Sequence, residues 1–151
     1  MSEAVVIGVG NRMMGDDAAG PVVIDRLEGR VPQSVALVES VGDATHLLET
    51  WRDAGLAIVV DAVVSGRVAG SIQRIDGIKG FPSAWRSAST HLVGLAEAID
   101  LGSAVGVLPE AMVVYGIEID GVEPGVGLSP AVDTAADEVA SSITLVCESY
   151  A

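Results

Sequence analysis

Three aspartates and one histidine are the residues of this chain whose types and settings suit chemistry. Asp16 and Asp17 follow the turn Gly8-Val9-Gly10-Asn11 and enter a helical apolar pattern. Asp61 follows the apolar run Leu56-Ala57-Ile58-Val59-Val60, where a charge is costly unless it is paired or meets a ligand. His91 lies in Ser89-Thr90-His91-Leu92-Val93-Gly94 at a predicted helix start, where the helix dipole favours the neutral, ligand-competent imidazole. One imidazole and two carboxylates form a mixed nitrogen and oxygen donor set. Such a set suits a borderline metal such as nickel or zinc, and equally suits proton transfer.

Each of these residues also has a purely structural reading. One of Asp16 and Asp17 is expected to cap the helix they precede, leaving the other to point into a cleft. Asp61 could cap a neighbouring loop. His46, flanked by Leu47 and Leu48, reads as a structural or partly exposed residue. Cys147 is the only cysteine, so an intrachain disulfide and a thiolate metal cage are both excluded. It falls on an apolar helical stripe and reads as a buried thiol.

The elements that must position these residues follow from apolar periodicity. Residues 4–9, 34–39, 56–60 and 111–119 read as strands, and 71–75 alternates as an edge or antiparallel strand. Residues 18–27 carry helical spacing. Asp43 is placed to cap a helix running to about Ala54, and Ser89 or Thr90 one running through Ala98. Ser129-Pro130 opens a last helix whose apolar face is Val132, Ala135, Val139, Ile143 and Val146. The segments 77–87 and 120–128 are loops rich in Gly and Pro.

Alternating strands and helices predict a single-domain three-layer α/β/α sandwich over residues 1–151, around a mostly parallel, mixed and twisted sheet. Ligands bind such sheets beyond the carboxyl ends of the strands. That rule selects the turn after Val9, Asp61, and the loop after Ile119.

Composition narrows the classes of function. Twenty-one acidic against eight basic residues give a formal charge of −13, which disfavours nucleic acid and anionic lipid and favours a basic peptide. No apolar stretch approaches the roughly 20 residues of a membrane span, and the first residues show no signal sequence. A cytoplasmic protein without nucleic-acid or membrane partners is expected.

A dinucleotide-binding alternative starts from Gly8 and Gly10 after the first strand and Glu39 at the end of the second. Two features weigh against it: Met13 stands where a third glycine belongs, and Asp16 and Asp17 would repel a pyrophosphate at the helix entrance.

The order of four motifs resembles the hydrogenase maturation endopeptidases. They are Gly8-Val9-Gly10-Asn11 with Asp16-Asp17 and Gly20; Val60-Asp61-Ala62; Ser89-Thr90-His91-Leu92-Val93-Gly94-Leu95-Ala96; and Gly127-Leu128-Ser129-Pro130. The resemblance spans essentially the whole chain. It implies an endopeptidase that removes the C-terminal extension of a nickel-iron hydrogenase large-subunit precursor after nickel insertion. It also implies that Asp17, Asp61 and His91 are the catalytic and metal-engaging residues. Nickel would arrive with the precursor, no cofactor would be tightly bound, and zinc or cadmium could substitute in vitro. A monomer is expected.

Two mechanisms remain open under this resemblance. Either nickel polarises the scissile carbonyl or activates water, or Asp17 and Asp61 act as an acid and base while nickel only positions the chain. The segment Glu39-Ser40-Val41-Gly42-Asp43 departs from the family's usual Asp-Gly-Gly-Thr. That departure sustains an alternative, a non-cleaving metallochaperone or checkpoint protein that binds the loaded precursor.

Overall fold

The computed structural model describes residues 3–77 and 90–150, with side chains described from 94 to 149 in the second span. Five strands form one sheet: β1 (Glu3–Val9), β2 (Ala36–Ser40), β3 (Ala54–Val63), β4 (Ile72–Asp76) and β5 (Ala111–Glu118). Their order is β2-β1-β3-β5-β4. All neighbouring pairs are parallel except β4 with β5, so the alternating 71–75 segment is an antiparallel edge strand, as its pattern predicts. The helices are α1 (Ala19–Leu27), α2 (Ala44–Trp51), α3 (Thr90–Val105) and α4 (Pro130–Tyr150).

Continuous apolar strands require cover on both faces, and two cores supply it. Alternate residues of the central strands, such as Val6, Ile58, Val60 and Tyr115, pack with α1 and α4 through Val23, Leu27, Val139 and Ile143. The intervening residues, such as Ile7, Val59 and Val114, pack with α2 and α3 through Leu47, Trp51, Leu95 and Ile99. Cys147 is buried with α4 in the first core, and burial pushes its thiol pKa up, in keeping with a structural thiol.

Several boundaries differ from the sequence reading for identifiable reasons. Asp43 caps α2 as expected, accepting from the amides of Thr45 and His46. The helix nevertheless stops at Trp51, because Asp53 takes a left-handed turn (φ 67°) that admits the chain to β3 at Ala54. Strand β3 does not stop at Asp61. It continues to Val63 because β5 offers Gly116, Ile117 and Glu118 as parallel partners. Helix α3 runs past Ala98 to Val105, with Gly106 (φ 76°) beyond its end. The expected cap at Ser89 and most of the 77–87 loop lie outside the described residues.

Candidate active site at the carboxyl edge

Strand order reverses at β1. The chain leaves β1 toward β2 through α1 on one face, then returns to β3 on the other side of β1 through α2. The crevice beyond the carboxyl ends of β1 and β3 is therefore the switch point where α/β sheets admit ligands. Asp17 and Asp61 stand on its two sides.

Asp17 belongs to a 3-10 turn, Gly15–Ala18, inserted between β1 and α1. It is buried, and its Oδ2 accepts the amide of Asn11 at 3.1 Å. The turn packs against β3. Gly20 makes that approach possible: a Cβ there would lie 2.4 Å from the Val9 carbonyl and 2.7 Å from that of Val60. Asp61, next in sequence to Val60, is 1% exposed and pairs in register with Gly116. Strand alternation turns its side chain to the face it shares with Val59 and Val63, the face covered by α2 and α3.

The side chain of His91 lies outside the described residues. Its backbone is in the first turn of α3, and Gly94 one turn later is described. Gly94 sits so close to the β2–α2 loop that an added Cβ would come within 1.8 Å of the Gly42 carbonyl oxygen. The start of α3 thus meets the sheet at the same carboxyl edge, and the segment it meets is the unusual Glu39–Asp43 loop. His46 is exposed on α2, with Nδ1 3.0 Å from Ser40 Oγ. It serves to tie down that loop, which fits its structural reading.

The expectation that Asp16 or Asp17 caps its own helix is not met. Neither the 3-10 turn nor α1 has a side-chain cap. The carboxylate of Asp16 instead reaches the last helix, accepting from the Ser129 amide at 2.7 Å and the Ser129 hydroxyl at 2.8 Å. The inserted turn rotates Asp16 away from α1 and toward Pro130, the first residue of α4.

The dinucleotide alternative also loses its ground. A second glycine in that fingerprint leaves room for a pyrophosphate, but a Cβ on Gly10 would lie 2.0 Å from the carbonyl oxygen of Asp17. The protein's own chain fills the space. Glu39 is paired with Arg12, which also holds Asp25 through two contacts of 2.7 Å. The hydrogen bonds from Arg12 lower the pKa of Asp25, and those to Asp25 and then Glu39 raise that of Arg12.

Sequence reading missed one buried carboxylate. Glu118, 2% exposed at the end of β5, accepts the Ser65 amide at 2.7 Å and also its hydroxyl. It pairs with Val63, shares the face of Asp61 and anchors the loop leaving β3. The signal that marked Asp61, a charge within an apolar run, was equally present at Glu118. Among the described residues no group of three or more His, Cys, Asp or Glu is gathered to hold a metal.

Comparison with known proteins adds an independent line. A family model described as hydrogenase maturation protease matches residues 21–145. The chain is 28% identical over 132 residues to the hydrogenase 2 maturation protease of Escherichia coli K12, covering 85% of this chain and 80% of that protein. An endopeptidase from Escherichia coli solved in solution superposes with a TM-score of 0.83 at 25% identity, over 93% of this chain and 89% of that one. The hydrogenase maturating endopeptidase HybD of Escherichia coli superposes with a TM-score of 0.80 at 23% identity, over the same shares of the two chains, and shows likeness of fold.

Proposed function

Because the chain belongs to the hydrogenase maturation protease family, we propose that it removes the C-terminal extension of a nickel-iron hydrogenase large-subunit precursor once nickel has been inserted. The observation that supports this reading is the packing of the Asp17 turn on β3, the strand that carries Asp61, at the switch point of the sheet, with the first turn of α3 brought to the same edge by Gly94. In this reading Asp17, Asp61 and His91 engage the nickel that the substrate carries. Buried carboxylates are costly to desolvate alone, so a precursor bearing a cation gains affinity that an empty one lacks. A carboxylate beside the scissile bond can also accept a proton from the attacking water and return it to the leaving amine.

Nickel is here part of the substrate and not a cofactor stored by the protein. The direct test is mass measurement of the large subunit after incubation with this protein, using nickel-loaded and nickel-free precursor. The expected result is loss of the C-terminal peptide from the loaded form alone. Equal cleavage of both forms would show that nickel is not read. Binding of the loaded form with no change of mass would favour the metallochaperone reading, which the unusual loop packed on α3 keeps in play.

A further inference from the structure

Nine large hydrophobic side chains are exposed among the described residues. Six of them, Met13, Val41, Val64, Val68, Val122 and Val126, stand on loops leaving the carboxyl ends of the parallel strands. The other three, Leu101, Val105 and Leu145, are on helices. Single exposed apolar residues need no explanation, but a concentration on the loops at one edge of the sheet marks a surface that meets another molecule.

Met13, Val122 and Val126 belong to two loops of this edge that are bonded to each other. Gly125 donates its amide to the Met13 carbonyl at 2.9 Å, and Gly15 donates to the Gly125 carbonyl at 2.8 Å. Met14 and Gly125 thereby make a parallel bridge. The clamp between Asp16 and Ser129 fixes the far end of the same loop. Val126 is 81% exposed and Met13 63% exposed, so backbone bonds hold them in place without burying them. A lip already fixed in this way loses little conformational freedom when a partner arrives.

Beside the lip opens a cleft of about 380 Å³ lined by Asp16, Asp120 and Glu123, with no basic side chain among the described residues of its lining. Asp16 is committed to Ser129, so Asp120 and Glu123 supply the charge that faces an incoming chain. With a formal charge of −13 on the whole protein, the complementary occupant has apolar side chains and a positively charged neighbour.

We infer that the lip of Met13, Val122 and Val126 is the docking surface for the polypeptide of the substrate precursor, seating its apolar side chains while Asp120 and Glu123 face an adjoining basic residue. The inference rests on the protease reading and names the surface that holds the substrate chain beside Asp17. Met13 lies next to that turn in the chain, and the turn is closed by the Asp17 amide donating to the Met14 carbonyl at 3.1 Å.

The experiment measures steady-state cleavage of nickel-loaded large-subunit precursor, together with its dissociation constant by calorimetry in an Asp61→Asn background chosen to slow turnover, for the wild-type lip and each variant alike. The lip variant is Met13→Ser with Val126→Ser, the charge variant is Asp120→Asn with Glu123→Gln, and Leu145→Ser is the control. The lip variant should raise KM and Kd about 10-fold and leave kcat within about twofold, the pattern of lost uniform binding. The charge variant should weaken binding at low salt and converge on the wild type at high salt. Unchanged KM and Kd in the lip variant would overturn the inference and leave the protease reading intact. A wild-type protein that binds precursor through the lip without cutting it would support the surface and sink the protease reading. Failure of wild-type protein to bind precursor at all would overturn the surface.

Discussion

The carbonyl oxygen of Gly42 occupies the place where a Cβ on Gly94 would be, 1.8 Å from that position. Helix α3, which begins just before His91, therefore meets the β2–α2 loop backbone to backbone, and the contact fixes how near the helix start comes to the crevice. Gly94→Ala should force loop and helix apart. The expected cost is about 1–3 kcal/mol of stability, as for overpacking elsewhere. Cleavage should also be slower at temperatures where the variant is fully folded. Urea unfolding and the precursor mass assay read the two effects separately, and wild-type behaviour in both would show that the loop yields without consequence.

Asp61→Asn keeps the size and hydrogen-bonding capacity of the side chain and removes its charge. The variant should fold with an unchanged circular dichroism spectrum and process nickel-loaded precursor about 100-fold more slowly or worse. His91→Ala should have a comparable effect by deleting the nitrogen donor. His46→Ala should process near the normal rate, since its ring bonds Ser40 on the loop. Undiminished cleavage by Asp61→Asn would remove that carboxylate from any essential role.

Asp16→Ala removes an acceptor shared by the amide and hydroxyl of Ser129 at the start of α4. Charge-assisted hydrogen bonds of this kind contribute about 1.5–3 kcal/mol each when sheltered, and the partial exposure of Asp16 points to about 1–2 kcal/mol for the pair. The midpoint of urea unfolding should fall accordingly. A midpoint equal to the wild type would mean that solvent replaces the clamp without loss.

The ion pair of Arg12 with Asp25 should leave a small signature in the acid limb of stability. Its hydrogen bonds lower the folded-state pKa of Asp25, so its contribution is present above the unfolded carboxylate pKa and is lost as pH falls through the folded value. Both side chains are about half exposed, at 45% and 50%, so the contribution at neutral pH should stay below about 1 kcal/mol. Arg12→Gln should therefore be slightly less stable than the wild type near neutral pH and indistinguishable from it in strong acid. A difference that widened on acidification would contradict this assignment.

The fold was legible because its code is local. Runs such as Val5 to Val9 and Leu56 to Val60 are short and rich in β-branched residues, which marks them as strands buried on both faces, and Asp43 before an apolar helix can serve as a cap whatever lies around it. The carboxyl-edge placement of Asp17 and Asp61 follows from the same pattern. What periodicity does not carry is the partner of a polar side chain distant in sequence. Local capping is the default that makes one of Asp16 and Asp17 a cap for the adjacent helix, yet Asp16 serves the start of α4, 113 residues away. The packing of Gly94 on Gly42 is likewise a meeting of a helix with a distant loop that no spacing announces. Glu118 was a different kind of miss, since the rule that singled out Asp61 applied to it and went unused.

The bridge from Gly125 to Met13 and the clamp from Asp16 to Ser129 both join the first turn of the chain to its last third. During synthesis, β1 and the 3-10 turn leave the ribosome long before β5 and α4 exist to receive them. The sheet can begin to assemble from its early strands, but the rim around Asp17 lacks both ties until residues 125–129 are in place. The rim beside Asp17 is thus built jointly by segments far apart in sequence, and a chain in which α4 has not docked would lack the clamp that fixes it.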